Sequence, residues 1–189
     1  MSNKKNTLYV NLWGGPGSGK STGAAYLFSQ LKIHGVDCEY VQEYAKDKVW
    51  EDHQSFFRDP VNQFCIGAEQ LYRLNNLNGK VDVVVTDAPL MLSPFYVPEQ
   101  YQTEYQNLFL KLNSSFRTLN VFVERVSSYD PNGRLQTEQE ADELGKKLKH
   151  YLDNLAIDCI PVKGSTEGYE FLLKYMMQNC SIPGFSADR

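Results

Sequence analysis

The apolar run LYVNLW (residues 8–13) leads directly into GGPGSGKST (residues 14–22). The run shows little polar alternation, as in a strand covered on both faces. Beyond the glycine-rich stretch, Ala24, Leu27, Phe28 and Leu31 recur at helical spacing, and Gly35 supplies a stop. Strand, glycine loop and helix therefore follow one another without a gap. A flexible turn needs no such flanks, whereas a loop built to hold an anion does.

Gly14, Gly19, Lys20 and Ser21 stand at the spacing G-x-x-x-x-G-K-[ST]. Glycines let the main chain curl so that successive N–H groups point inward, and the helix that follows offers its positive end to the same charge. Residues Gly14, Gly15, Pro16, Gly17, Ser18, Gly19, Lys20, Ser21 and Thr22 are thus expected to cradle nucleotide phosphates. Lys20 would reach the β- and γ-phosphates of ATP, and the Ser21 hydroxyl would bind Mg²⁺. The metal also needs a carboxylate at the end of a neighbouring strand. Asp87 closes VDVVVTD (81–87) and fits, while Asp82 starts the same run and would lie at the wrong edge.

The rest of the chain alternates in kind. VDCEYVQ (36–42) reads as a second strand. Asp59-Pro60 reads as a cap and first position of a helix whose stripe is Val61, Phe64, Cys65, Ala68 and Tyr72, ending near Asn78-Gly79. Residues 99–112 read as helix and LNVFVERV (119–126) as a fourth strand. Thr137 with Glu140 makes a capping box for a helix carrying Leu144, Leu148, Tyr151 and Leu155. DCIPVKG (158–164) and a helix over 166–179 close the pattern. Such βα alternation predicts an α/β fold, a mostly parallel five-stranded sheet with helices on both faces and ligands at the carboxyl ends of its strands. One domain is expected over 1–189, with loose ends at 1–6 and 181–189.

Composition narrows the function. Of 189 residues, 42% are apolar and 22% charged, ordinary for a globular protein. No apolar run nears the roughly 20 residues that span a bilayer, and the start lacks the features of a signal peptide, so a cytoplasmic location and no membrane partner are expected. Nineteen basic against twenty-three acidic residues give a net charge of −4, which argues against a grip on a long nucleic acid. Cys38, Cys65, Cys159 and Cys180 form no CxxC pair and are expected to be buried, reduced thiols; His34, His53 and His150 form no cluster.

The fourth strand is followed by ERVSSYDPNGRLQTEQEA rather than by the N-K-x-D motif of guanine-nucleotide switches, and the chain is short for a motor ATPase. A polar segment at about 126–140 suits a lid, with Arg125 and Arg134 closing over the transferring group, or else pairing with nearby glutamates; Asn132-Gly133 beside Arg134 makes a mobile turn. Glu43, in QEYAKD after the second strand, would share the rim with the phosphate loop and Asp87, where it can take a proton from an acceptor hydroxyl. Trp50, Phe56 and Phe57 follow; one of them could stack on an acceptor base, with core packing expected for at least two. Lys46 and Arg58 could contact an acceptor phosphate.

NLWGGPGSGKST, VQEYAKD, FCIGAEQLYRL and VDVVVTDAP stand in that order. With these four motifs the chain resembles the P-loop kinases grouped with the ribosylnicotinamide kinase domain of bacterial bifunctional regulators, and small AAA-type ATP-binding proteins of tailed phages. The resemblance covers most of the chain through the lid. It implies the three-layer P-loop NTPase fold, use of ATP and Mg²⁺, and, in the glutamate and tyrosine after strand two, a role near the acceptor for Glu43 and Tyr44. The group often has arginine where Lys46 stands and aspartate-threonine where Asp87-Ala88 stands. The expected activity is phosphoryl transfer from ATP to a hydroxyl or phosphate of a nucleoside-like acceptor. Two rivals remain: a kinase acting on hydroxymethylated bases in phage DNA, and an ATP sensor with little turnover.

Overall fold

Six consecutive buried residues make β1 (Leu8–Trp13) the centre of the sheet. In the computed structural model, which describes residues 5–51, 56, 57, 59, 61–126 and 137–185, the elements are β1, α1 (Lys20–Ile33), β2 (Cys38–Val41), α2 (Tyr44–Trp50), α3 (Asn62–Asn75), β3 (Val83–Thr86), α4 (Leu92–Phe95), α5 (Glu99–Asn113), β4 (Arg117–Glu124), α6 (Glu138–Asn154), β5 (Ile160–Lys163) and α7 (Thr166–Asn179). The five strands pair in the order β2-β3-β1-β4-β5, all parallel. The fold is α/β with helices on both faces, as expected from the alternation.

Strand periodicity sorts the core into two layers. Leu8, Val10 and Leu12 join Val83, Val85, Val121 and Val123 against Ala24 and Leu27 of α1 and Leu172 and Met176 of α7. Tyr9, Trp13 and Val84 face the other way, onto Leu74 of α3, Tyr105 and Phe109 of α5, and Leu148 and Leu152 of α6. Asn11, buried in the same strand, donates to Asn120 Oδ1 at 2.9 Å, and the Trp13 indole donates to the same oxygen at 3.1 Å. No helix among the described residues is long and apolar enough to cross a membrane.

Several local expectations need correction. The buried stripe of α3 is Ile66, Gly67, Gln70 and Leu74, not Val61, Cys65, Ala68 and Tyr72, which are exposed. The helix is turned so that a polar side chain, Gln70, can satisfy main-chain groups inside. Its start is marked by Asp59, whose carboxylate accepts from Val61 N–H at 2.9 Å; Pro60 lies outside the described residues. Trp50 is 69% exposed on α2, which buries no residue at all, and Phe56 and Phe57 are half-buried and pack edge to face on each other; none of the three joins a core layer. Of the thiols only Cys38 is buried, and Cys65 is exposed. The ends are tied down where they are described: Lys5 pairs with Asp37 and Asp82, while Ile182 and Phe185 sink into the α1–α7 layer. Burial of those two apolar side chains holds 181–185 in place.

Candidate nucleotide and acceptor site

The turn after β1 is held by close contacts that leave no room for side chains. Gly19 sits at φ +97°, and a Cβ there would lie 2.4 Å from the Tyr169 hydroxyl, which donates to the Gly19 carbonyl at 2.8 Å. Gly15 touches the backbone of α6, where a Cβ would lie 2.9 Å from the Ala141 carbonyl. Gly19 is also the residue preceding α1 and offers no side-chain cap. The first N–H groups of that helix are thereby left for an anion. Ser18 Oγ in the same turn is buried without a hydrogen-bond partner.

Three elements converge on this turn. Lys20 Nζ donates to the carbonyls of Gly14 (2.8 Å) and Gly15 (3.0 Å). Ser21 Oγ donates to Asp87 Oδ2 at 2.5 Å, and the other carboxylate oxygen of the buried Asp87 accepts from the main-chain N–H of Glu43 at 3.1 Å. Because β3 lies between β1 and β2, its end reaches both neighbours, and Asp87 links the start of α1 to the start of α2. Asp82, at the opposite edge, is held by Lys5 at 3.0 Å.

A cleft of about 530 Å³ runs from the loop to the helices beyond β2 and β3. All of residues 14–22 except Gly15 line it, together with Glu43, Tyr44, Lys46, Trp50, Phe57 and Tyr96 among others. Burial pushes the Glu43 carboxyl above its ordinary value, as does the Asp87 charge, while Lys20 and Lys46 oppose the shift. Tyr96 is held up by burial and by the Glu43 charge, although its ring remains open to the cleft.

Residues not anticipated complete the cleft. Gln70, 2% exposed, accepts from Tyr44 N–H at 3.3 Å and donates to the Ala88 carbonyl at 3.2 Å. It fastens the chain after β2 to the chain after β3. Tyr40 of β2, half-buried, titrates high through that burial and the nearby Asp87 charge. The Tyr44 ring carries Arg73 at 4.8 Å and Lys48 at 5.2 Å from its centroid. The only sequence signal for Gln70 is a polar residue in a helix that must bury one face.

Arg125, past the end of β4, bonds Asp142 and lies 3.6 Å from Glu138, both on α6, so it ties the strand to that helix. Glu138 and Glu140 follow Thr137, and the capping box there is formed. Arg134, most of the lid segment, and Arg58 lie outside the described residues.

A family profile described as an AAA domain matches residues 9–168. The chain belongs to this AAA domain family. Among solved structures, this AAA domain is similar to the NadR protein in complex with NR (15% identity, TM-score 0.63), covering 94% of this chain and 52% of that one. A second structure, NadR in complex with NAD and AMP-PNP, aligns at 16% identity and TM-score 0.61, covering 88% and 48%. Deoxyadenosine kinase from M. mycoides with bound dATP gives 16% and 0.59, covering 89% of this chain and 98% of that one. The AAA domain thus spans about half the length of NadR and shares the P-loop kinase fold with both proteins. No curated protein sequence matches it.

Proposed function

We propose that this chain is a kinase that moves the γ-phosphoryl group of ATP to a hydroxyl or phosphate of a small nucleoside-like acceptor. The supporting observation is that one cleft is lined both by the phosphate-loop residues and by Glu43, with Asp87 joining the two. A pure nucleotide clamp needs only the first half. Both neighbours of this fold hold small ligands of that kind, NadR in complex with NR and deoxyadenosine kinase with bound dATP.

The donor set at Ser21 and Asp87 suits Mg²⁺, being hard oxygen ligands, one hydroxyl and one carboxylate, with phosphate oxygens and water to complete the shell. Bound there, the ion would neutralise charge on the β- and γ-phosphates. The loop N–H groups and the start of α1 would hold the phosphates, and Lys20 would leave its carbonyl partners to meet the developing charge. Glu43 would accept the acceptor's proton; a carboxylate raised above its ordinary value is a stronger base at the pH where it is ionised. Lys46 and Tyr44 would position the acceptor, and Arg125 and Arg134 would belong to the segment that closes over the donor.

The test mixes the full chain with Mg²⁺, γ-labelled ATP and a panel of nucleosides, nucleoside monophosphates, nicotinamide riboside, and plain or hydroxymethylated DNA. Label on a small acceptor is the expected result. Label on DNA alone, or ATP bound with no acceptor labelled, would overturn it in favour of a DNA-base kinase or a sensor.

A further inference from the structure

The exposed side of α3 is unusual for a surface helix. Val61, Cys65, Ala68 and Tyr72 form an uncharged stripe three turns long, with Val61 56% and Tyr72 63% exposed. All strands are parallel and α3 and α5 each return to the start of the next strand, so the two helices run side by side in the same direction. Their contact is the row Phe64–Tyr101 (5.7 Å between rings) and Phe64–Tyr105 (4.9 Å). At about 100° per residue, the α3 stripe and Tyr101 and Leu108 of α5 fall on the same outer side of that contact. Tyr101 is 47% and Leu108 52% exposed, so both helices expose apolar side chains on that side, with Glu104 one turn from each along α5. A face of this kind on a globular protein marks an association surface.

The charges at its border select the occupant. Glu104 and Lys111 flank the face on α5, both exposed, seven residues and therefore two turns apart. Among the described residues neither forms an ion pair within the chain. A two-fold axis across the helices at the level of Leu108 reverses the direction of the second copy. It would set Glu104 of each copy against Lys111 of the other, with the Leu108 side chains near the axis. Identical faces meeting across a two-fold must complement themselves, and these spacings do.

We infer that the α3–α5 face is the interface of a homodimer, with the Val61–Tyr72 stripe, Tyr101 and Leu108 as its apolar seam and reciprocal Glu104–Lys111 pairs at its border. The cleft lies at the carboxyl edge of the sheet and contributes none of these residues, so dimerisation and nucleotide binding are separable.

The experiment is sedimentation of the full chain from 1 to 200 µM, with circular dichroism to confirm folding of every variant. Wild type should reach twice the 21.6 kDa chain mass. Leu108→Glu should raise the dissociation constant about a hundredfold, since it places a charge in the seam. Glu104→Lys should raise it about tenfold, the change being felt twice across the axis, and Glu104→Lys combined with Lys111→Glu should restore the wild-type value. A wild type that stays monomeric throughout, or single and double charge variants that sediment alike, overturns the proposal. Phosphoryl transfer by any monomeric variant leaves it intact.

Discussion

Replacing Gln70 by leucine tests how the two halves of the cleft are joined. The substitution keeps roughly the same volume in a site that is 2% exposed. It removes the acceptor for Tyr44 N–H and the donor for the Ala88 carbonyl, and among the described residues neither main-chain group has another hydrogen-bond partner. The Ala88 carbonyl is fully enclosed and should lose about 2–3 kcal/mol of satisfaction, while the part-exposed Tyr44 N–H should lose about 1 kcal/mol. Greater apolar burial by leucine offsets some of this, leaving a net destabilisation of about 2–4 kcal/mol. For a chain of 189 residues each kcal/mol moves Tm by about 2–4 °C, so a fall of roughly 4–16 °C is expected.

Calorimetry of the full chain reads this directly, with Gln63→Leu as the control. Gln63 lines the same cleft from the same helix and makes no such bridge, so its melting temperature should move by about 2 °C or less. The activity assay adds a second reading. Because Gln70 holds the chain carrying Glu43 and Tyr44, the acceptor KM should rise about tenfold while the ATP KM changes little. A Gln70→Leu protein that melts with wild type would refute the view that this amide fastens the two segments, whatever its kinetics.

Three further outcomes follow from the site. Lys20→Ala should lower transfer about a thousandfold in the labelled-ATP assay while leaving the circular dichroism spectrum unchanged. Glu43→Gln should lower kcat/KM by about 10²–10⁴ and remove its acid limb, which in wild type lies above the ordinary carboxylate value of 4.5 because burial favours the protonated form. The folded chain holds that proton more tightly than the unfolded one, so Glu43 contributes stability at low pH that is lost as pH rises through the raised value; urea melts across this window should show the slope in wild type and not in the variant. Gly19→Ala should cost about 1–3 kcal/mol and weaken ATP binding in calorimetry, since alanine strains at φ +97° and meets the Tyr169 hydroxyl.

What could be read from the sequence was local. The junction at residues 8–22 carries its own evidence, because a buried strand, a glycine turn and an amphipathic helix each leave a short-range pattern. Asp87 was legible for a similar reason: it ends the most apolar run of the chain. The orientation of α3 was not, since Val61, Cys65, Ala68 and Tyr72 are as apolar as the true inner stripe, and only tertiary contacts reveal that Gln70 is wanted inside. Trp50 and Phe57 misled in the opposite way, because aromatic residues ordinarily signal a core, whereas α2, which carries Trp50, and Phe57 beyond it both stand outside the two layers. Tyr40 and Tyr169 act across 47 and 150 positions of sequence, on Asp87 and Gly19, and no short window contains both partners.

The strand order explains why those long-range partners meet. With β3 inserted between β1 and β2, the strand ends at Trp13, Val41 and Thr86 arrive side by side at one edge, and the residues just after them, the loop, Glu43 and Asp87, share a rim. The proposed donor half then rests on main-chain geometry: a glycine turn clamped by Tyr169 and by α6, next to a buried carboxylate. The proposed acceptor half rests on α2, which buries nothing, and on Gln70 beneath it. Under the proposed function, substitutions at Trp50, Phe57 or Tyr96 should change acceptor choice at little cost to the fold, whereas a side chain placed at Gly14, Gly15 or Gly19 should disturb donor binding and the strand–helix junction together.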